Sequence, residues 1–211
     1  MATSRTILIG DIHGCAFEFG ELLEMLSPDD GDTIVLMGDL LNKGPDPEGV
    51  LQTFESLGCI SLLGNHDLDH LEWSQGLVLP KPESVSTRRM MSEPAYSRYL
   101  EAVRNMSLIH QTPDFVAVHG AIISDVPLEN QPADVLTGKT TIDPSWKDRV
   151  DLDRPVVVGH KRYNVVQEMP FVIPGKFYGI DTGCVYGGSL TALILPGGLL
   201  IQVKAARNYC L

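Results

Sequence analysis

Thr6-Ile7-Leu8-Ile9-Gly10-Asp11-Ile12-His13-Gly14 governs how the rest of the chain is read. A short apolar strand runs straight into an acid and a histidine two positions apart. Side chains alternate across a strand, so Asp11 and His13 project to one side, where a carboxylate oxygen and an imidazole nitrogen can share one cation. Four later segments have the same form. Thr33-Ile34-Val35-Leu36-Met37 ends in Gly38-Asp39, and Cys59-Ile60-Ser61-Leu62-Leu63 ends in Gly64-Asn65-His66-Asp67. A strand over 114–118 ends in His119-Gly120, and one over 155–158 ends in Gly159-His160.

Between these strands, Phe17, Leu22, Leu23, Met25 and Leu26 have amphipathic helical spacing, and the turn Asn42-Lys43-Gly44-Pro45-Asp46-Pro47 leads into a helix over 48–57. Strand, helix, strand, helix, strand with continuous apolar strands predicts a parallel sheet with helices on its faces, an α/β fold. Residues 74–112, punctuated by Pro80, Pro82 and Pro94, break this rhythm and read as an insertion lying over the site, with one helix near 95–104. The stretch 125–154 reads as irregular, with one short helix at most. Short strands over 177–180, 189–195 and 199–203 follow. The last two, joined by Pro196-Gly197-Gly198, read as a hairpin in an antiparallel or mixed second sheet. One domain over 1–211 accounts for the whole pattern.

Composition sets limits on function. Net charge is −11, which disfavours duplex nucleic acid as a partner. No apolar run approaches the ~20 residues of a membrane span, and Met1-Ala2-Thr3-Ser4-Arg5 has no signal-peptide core, so a cytoplasmic or otherwise intracellular location is expected. Cys15, Cys59, Cys184 and Cys210 have no CxxC spacing and read as reduced thiols, Cys15 as a small packed residue rather than a ligand. Residues 1–72 carry two basic against fourteen acidic side chains, whereas residues 73–104 carry five basic against three acidic. One basic segment on an acidic body suits an anionic substrate, and equally a solvated helix face.

The strand ends offer Asp11, His13, Asp39, Asn65, His66, His119 and His160. In parallel α/β sheets the carboxyl ends of the strands form the binding crevice, so these residues should converge. Any single histidine among them is more often a core or capping residue, but five such strand ends in one chain are hard to attribute to chance. Histidines, aspartates and an amide suit two borderline divalent cations such as Mn, Fe, Zn or Co better than Ca or Mg. The segments GDIHG, GDLLNKGP, GNHD, VHG and GH, with the tail DTGCVYGG, resemble the calcineurin-like metallophosphoesterases of the phosphoprotein-phosphatase superfamily. That resemblance implies two packed mixed sheets flanked by helices. It implies that Asp11 and His13 hold one metal, that Asp39 bridges, and that Asn65, His119 and His160 hold the second. It further implies His66 as the general acid and a metal-bridging hydroxide as nucleophile, with manganese the first choice of metal.

Protein phosphatases of this superfamily read GDxxDRG at the second motif. Here Asn42 replaces the Asp that pairs with the catalytic histidine, and Lys43 replaces the phosphate-clamping Arg. Asn42 can accept a hydrogen bond from an imidazole but supplies no charge, which predicts a lower His66 pKa. Lysine lacks the planar fork of arginine and tolerates phosphates in varied orientations. The NKGP form resembles the diadenosine-tetraphosphatase branch, the ApaH-like phosphatases, which implies cleavage of dinucleoside polyphosphates, mRNA caps or polyphosphate. A serine/threonine phosphoprotein phosphatase and a non-catalytic scaffold of the same fold are the alternatives. Lys161 and Arg162 follow His160 and read as substrate contacts at the rim. Arg149, or else Arg154, stands where the resemblance places a second phosphate-binding arginine. Arg88, Arg89 and Arg98 could meet further phosphates, and Tyr96 or Tyr99 a base; a tyrosine face packed on the body is the plainer reading.

Overall fold

In the computed structural model, which describes residues 5–164 and 169–210, the opening strand β1 (Thr6–Ile9) sits in the middle of a five-stranded sheet. The segment 1–4, on which the leader reading partly rests, lies outside the described residues. β1 pairs in parallel with β2 (Thr33–Leu36), and β2 with β3 (Ile60–Ser61), as the apolar runs predict. The other edge of β1 is taken by the hairpin β9 (Ser189–Leu195) and β10 (Leu199–Lys204), antiparallel to it. The hairpin therefore forms as expected but belongs to the first sheet, not the second. Local alternation specifies a strand and its turn, whereas the choice of partner strand is made by long-range packing. Here Leu193 faces one core while Leu190, Ala192 and Ile194 face another.

The second sheet has the order β4 (Ile109–Gln111), β5 (Val116–Val118), β6 (Val156–Val158), β8 (Phe177–Gly179), β7 (Phe171–Ile173). Its three inner strands are parallel and its two edges antiparallel. The sheets pack face to face through Leu8, Val35, Leu62, Ala117, Val157 and Leu193. The period of two shows directly: Leu8 enters this inter-sheet core, whereas Ile7 and Ile9 face the helices. Two packed mixed sheets flanked by helices is the architecture the motifs imply.

Helices α1 (Ala16–Leu26) and α2 (Pro47–Leu57) cover the first sheet, and α2 is capped by the Asp46 carboxylate on the Gly49 N–H at 2.9 Å. Helices α3 (Asn65–Ser74), α4 (Pro82–Arg89) and α5 (Glu93–Arg104) form a packed group beside them. Of these only α5 follows from apolar spacing. Helix α3 buries His66, Asp67, Asp69 and His70, and α4 buries Ser84 and Thr87, so their periodicity is carried by polar side chains. The stretch 125–154 holds a 3-10 turn (Leu128–Asn130) and two four-residue helices, α6 (Ala133–Leu136) and α7 (Trp146–Arg149), rather than one. Both short helices pack on the outer face of the second sheet through Val135, Leu136 and Trp146. Among the described residues no helix is long and apolar enough to cross a membrane.

Candidate metal centre and active site

Because β1, β2 and β3 are parallel, as are β5, β6 and β8, each sheet delivers its strand ends to one edge, and the facing sheets bring the two edges together. Asp11 and His13 follow β1, Asp39 follows β2, and Asn65 and His66 open α3. His119, His160 and Asp181 follow β5, β6 and β8. The convergence is bought with backbone strain. Among the described residues five non-glycine positions have positive φ, and four are His13 (49°), Asp39 (54°), Lys43 (79°) and His160 (60°). Each such conformation costs on the order of 1 kcal/mol or more, and such costs cluster where function requires them. The edges interlock closely: a Cβ at Gly159 would stand 2.2 Å from Asp11 Oδ1, and both Asp11 oxygens accept the His160 N–H at 3.0 Å.

Asp39 is at the centre. Its Oδ2 lies 3.6 Å from His13 Nε2 on one side and 3.4 Å from His119 Nε2 on the other, while its Oδ1 accepts the His66 N–H at 3.0 Å. Two ligands bound ~2.0–2.2 Å from one ion stand roughly 3–3.5 Å apart, so these gaps suit a shared cation on each side. Two donor groups result, His13–Asp39–His66 and Asp39–His119–His160, and in each the ligand atoms lie within 4.8 Å of one another. Asn65 Oδ1 adds an oxygen 3.3 Å from His119 Nε2 and 2.9 Å from His160 Nδ1. His119 Nδ1 donates to the Met37 carbonyl at 2.7 Å, which turns Nε2 toward Asp39. Among the described residues His13 Nδ1 is buried with no hydrogen-bond partner. The donor set thus fits divalent cations, with Asp39 common to both groups. The first tight group is closed by His66, while Asp11 is held by the His160 backbone beside it.

Charge in the centre is crowded. Burial alone would raise the Asp39 carboxyl, but the imidazoles of His119, His66 and His13 overcome it and hold it well below the ordinary carboxylate range. Burial opposes a charge on His119, yet Asp39 and Asp11 outweigh it and push it up to about 10. Burial, reinforced by Asp181 and Asp39, raises Asp11 well above its usual value. Burial, reinforced by the His119 charge, takes His160 down to about 4. The carboxylates attract one positive charge to a site lined with nitrogen and oxygen donors, and a metal cation answers the same field.

His66 is set by a buried polar chain. The Asn42 amide Nδ2 donates to His66 Nδ1 at 3.0 Å and to Ser84 Oγ at 3.1 Å, and Asn42 Oδ1 accepts from His70 Nε2 at 2.7 Å. His70 Nδ1 in turn faces the Tyr96 hydroxyl at 3.1 Å. The expected contact between Asn42 and His66 is present with the opposite polarity, because His70 occupies the acceptor end of the amide. A donor at Nδ1 favours neutral imidazole. Burial lowers the His66 pKa, helped by Lys43, against the pull of Asp39. Asp67, the last residue of GNHD, accepts the N–H groups of Asp39 (2.7 Å), Leu40 (3.2 Å) and Gly64 (3.3 Å) and the Tyr99 hydroxyl (2.7 Å). Sequence reading gave no role to Asp67, Ser84 or His70, since a polar residue facing inward from a helix looks the same in sequence as one facing water.

A cavity of about 300 Å³ opens onto the centre, lined by His13, Asp39, Lys43, His66, His160, Lys161, Arg162, Asp181 and Tyr186. Lys43 Nζ stands 3.2 Å from His13 Nε2 and 5.4 Å from the Tyr186 ring centroid, and the Arg162 guanidinium lies 4.3 Å over the same ring. Asp181 and Tyr186 are site residues that sequence reading left unassigned, although DTGCVYGG carries both. Arg149 is elsewhere: it pairs with Asp143 at 3.0 Å on the exposed side of α7 and does not line the cavity. Arg154 bonds Gln111 at 3.2 Å. Arg88 pairs with Glu93 over the Tyr96 ring, Arg98 pairs with Glu55, and Arg89 is exposed. Their corner between α4 and α5 packs on α2 and α3, and no residue of 74–112 is among those lining the cavity. Tyr96 and Tyr99 are buried there and present no stacking face. Cys15 is buried as a free thiol, its Sγ donating to the His13 carbonyl at 3.8 Å, and is grouped with Glu18 and Cys184.

A family model, that of the calcineurin-like phosphoesterases, matches residues 4–168. The chain belongs to that family. Among curated relatives of this phosphoesterase, the symmetrical bis(5'-nucleosyl)-tetraphosphatase of Nitrosospira multiformis is 33% identical over 124 residues, 57% of this chain and 45% of the relative. The enzyme of the same name from Edwardsiella ictaluri is 44% identical over 85 residues, 39% of this chain and 30% of the relative. The phosphoesterase thus spans less than half the length of these relatives. A crystal structure provisionally described as a diadenosine tetraphosphatase is 29% identical with a TM-score of 0.80, covering 97% of this chain and 95% of its own. A serine/threonine phosphatase of Saccharomyces cerevisiae, 15% identical with a TM-score of 0.61 over 96% of this chain and 79% of its own, shares the fold.

Proposed function

We propose that this phosphoesterase hydrolyses the central phosphoanhydride of dinucleoside tetraphosphates, releasing two nucleoside diphosphates. The carrying observation is the cation arrangement of the cavity: Lys43, Lys161 and Arg162 line it together, with a flexible ammonium where a protein phosphatase has an arginine fork. Separate point charges suit several linked phosphates, whereas one fork grips a single phosphoryl group. The likeness to relatives named symmetrical bis(5'-nucleosyl)-tetraphosphatases supports the same substrate class.

Asp11, His13, Asp39, Asn65, His119 and His160 would hold two divalent cations, manganese being our choice for this mixed N/O set. When bound, the cations supply Lewis-acid polarisation of the phosphoryl oxygens and a nucleophile at neutral pH. The chain does the rest. Lys43 and Arg162 hold the flanking phosphates, and Asn65 orients the reacting one. His66 delivers a proton to the leaving oxygen. When His66 is charged, the Asn42 amide turns so that Oδ1 accepts the His66 Nδ1–H, and His70 changes tautomer toward Tyr96 to keep every partner satisfied. We place the reaction in the cytoplasm, where the four unpaired cysteines remain reduced.

A side-by-side assay of the manganese-loaded protein on diadenosine tetraphosphate, capped RNA, polyphosphate and a phosphoserine peptide tests the reading. Turnover of the tetraphosphate to two molecules of ADP supports it. Turnover of the peptide alone would replace it with the phosphoprotein reading, and no turnover with no bound metal would leave a scaffold.

A further inference from the structure

A second cavity, of about 240 Å³, adjoins the first and shares two of its walls, His160 and Lys161. Its other walls are unlike those of the metal cavity: Gly120, Ala121, Gly138, Thr140, Thr141, Ile142, Pro144, Trp146 and Tyr163. The geometry points to this cavity as the subsite for a purine base of the substrate, an assignment that rests on the tetraphosphatase reading above.

Four observations carry it. The first is size. Sites holding a whole drug-sized ligand run to ~300–1,000 Å³, so this space suits one base with part of its ribose, not a whole dinucleotide. The second is chemistry. Trp146, Tyr163 and Ile142 provide flat and apolar walls, and Thr141 and Tyr163 bring hydroxyls to them. That mixture matches a heterocycle with an apolar face and a polar edge.

The third is preorganisation. The Trp146 side chain hydrogen-bonds the Tyr163 hydroxyl, and Trp146 packs edge-on to Phe177 with ring centroids 5.5 Å apart. Burial pushes the Tyr163 hydroxyl up to about 12, so it keeps its proton and remains a donor for a ring nitrogen. The Gly138 backbone, at φ 74°, lies so near the His160 ring that a Cβ there would stand 2.7 Å from Nδ1. The cavity floor is therefore braced directly against a proposed metal ligand.

The fourth is continuity. In a symmetrical cleavage one phosphate and a ribose separate the reacting phosphorus from the nearer base. Lys161 stands on the wall between the two cavities, where that intervening phosphate passes. Its ammonium lies 5.9 Å from the Tyr163 ring centroid, so it links the anionic half of the path to the aromatic half. The short helices α6 and α7, with the loop between them, gain a purpose on this account: they wall the base site.

The test compares ADP with inorganic pyrophosphate, which differ by the nucleoside. Calorimetric titration of the manganese-loaded protein is expected to give ADP at least tenfold tighter binding than pyrophosphate. Thr141 is exposed, so Thr141→Trp fills the cavity mouth without disturbing a core. It should abolish that difference and lower the ratio of kcat/KM for diadenosine tetraphosphate to that for tripolyphosphate at least tenfold, chiefly through KM. Tyr163→Phe should lower the ratio by a smaller factor. Equal binding of ADP and pyrophosphate by the unaltered protein, or Thr141→Trp leaving either comparison unchanged, overturns the base subsite. Failure of the unaltered protein to cleave diadenosine tetraphosphate while still preferring ADP would overturn the tetraphosphatase reading and keep the subsite.

Discussion

His66 and Lys43 show what a single position contributes. His66 Nδ1 is held by Asn42, and its ring closes one of the two donor groups, so it can serve as acid or as ligand. A general acid matters only when the leaving oxygen needs a proton. His66→Ala is therefore expected to lower kcat on phenyl phosphate, whose basic phenolate leaves poorly without a proton, by ~10²–10⁴ but to cost much less with diadenosine tetraphosphate, whose diphosphate leaving group departs as a stable anion. Equal losses in steady-state assays of the two substrates would make His66 a ligand instead. Lys43 has a φ of 79°, which glycine adopts without strain. Lys43→Gly should raise stability to urea by a few tenths to about 1 kcal/mol. The same change should lower kcat/KM by ~10–100-fold, the worth of a charged hydrogen bond. A protein both less stable and fully active would refute this account of the strain. Asn42 and Lys43 were legible as departures from a family pattern. The polarity of the Asn42 bond was not, because the residue that sets it, His70, is 28 positions away.

At the scale of the element, α3 links function to fold. Its first turn carries Asn65 and His66 toward the candidate metal centre, and its buried face carries Asp67 and His70 toward α5. Asp67 gathers three backbone N–H groups of the Asp39 and Gly64 loops together with the Tyr99 hydroxyl. Asn in its place would turn an N–H₂ toward at least one of those donors. Asp67→Asn is expected to cost about 1–3 kcal/mol in urea unfolding and to weaken metal binding ~10–100-fold by releasing Asp39. His70 gives the same helix an acid limit. Burial, with the nearby His66 adding to it, takes its pKa down to about 4, below the ~6.5 of an unfolded histidine. A histidine kept neutral by folding contributes stability that is present above about pH 6.5 and is lost as pH falls toward 4. Unfolding midpoints measured from pH 7.5 to 4.5 should thus decline. His70→Gln should remove at most one proton's share of the slope, ~1.4 kcal/mol per pH unit. An identical slope in the variant would assign the acid sensitivity elsewhere.

For the whole molecule, the two sheets concentrate Asp11, Asp39 and Asp181 at one shared edge of a chain whose net charge is already −11. Cations bound there stabilise by mass action, about 2.7 kcal/mol at a hundred times Kd. Saturating manganese should raise Tm and a chelator should lower it, by scanning calorimetry; a Tm indifferent to both would remove the metal centre. By itself the sequence determined the strands that end in candidate ligands, the parallel pairing of the first three, the helices α1, α2 and α5, and the strand-end residues that converge. Each is written in local order, as apolar runs of strand length, helical spacing and turn chemistry within a few residues. Only the tertiary structure decided that the C-terminal hairpin completes the first sheet, that α3 and α4 exist as helices with polar inward faces, and that Ser84 and Tyr96 join the polar chain behind His66. It also decided that Arg149 stands apart while Asp181, Tyr186, Asp67 and His70 come in. Those outcomes depend on which distant groups satisfy a buried polar atom or cover an apolar face, and the local pattern of a chain does not specify that choice.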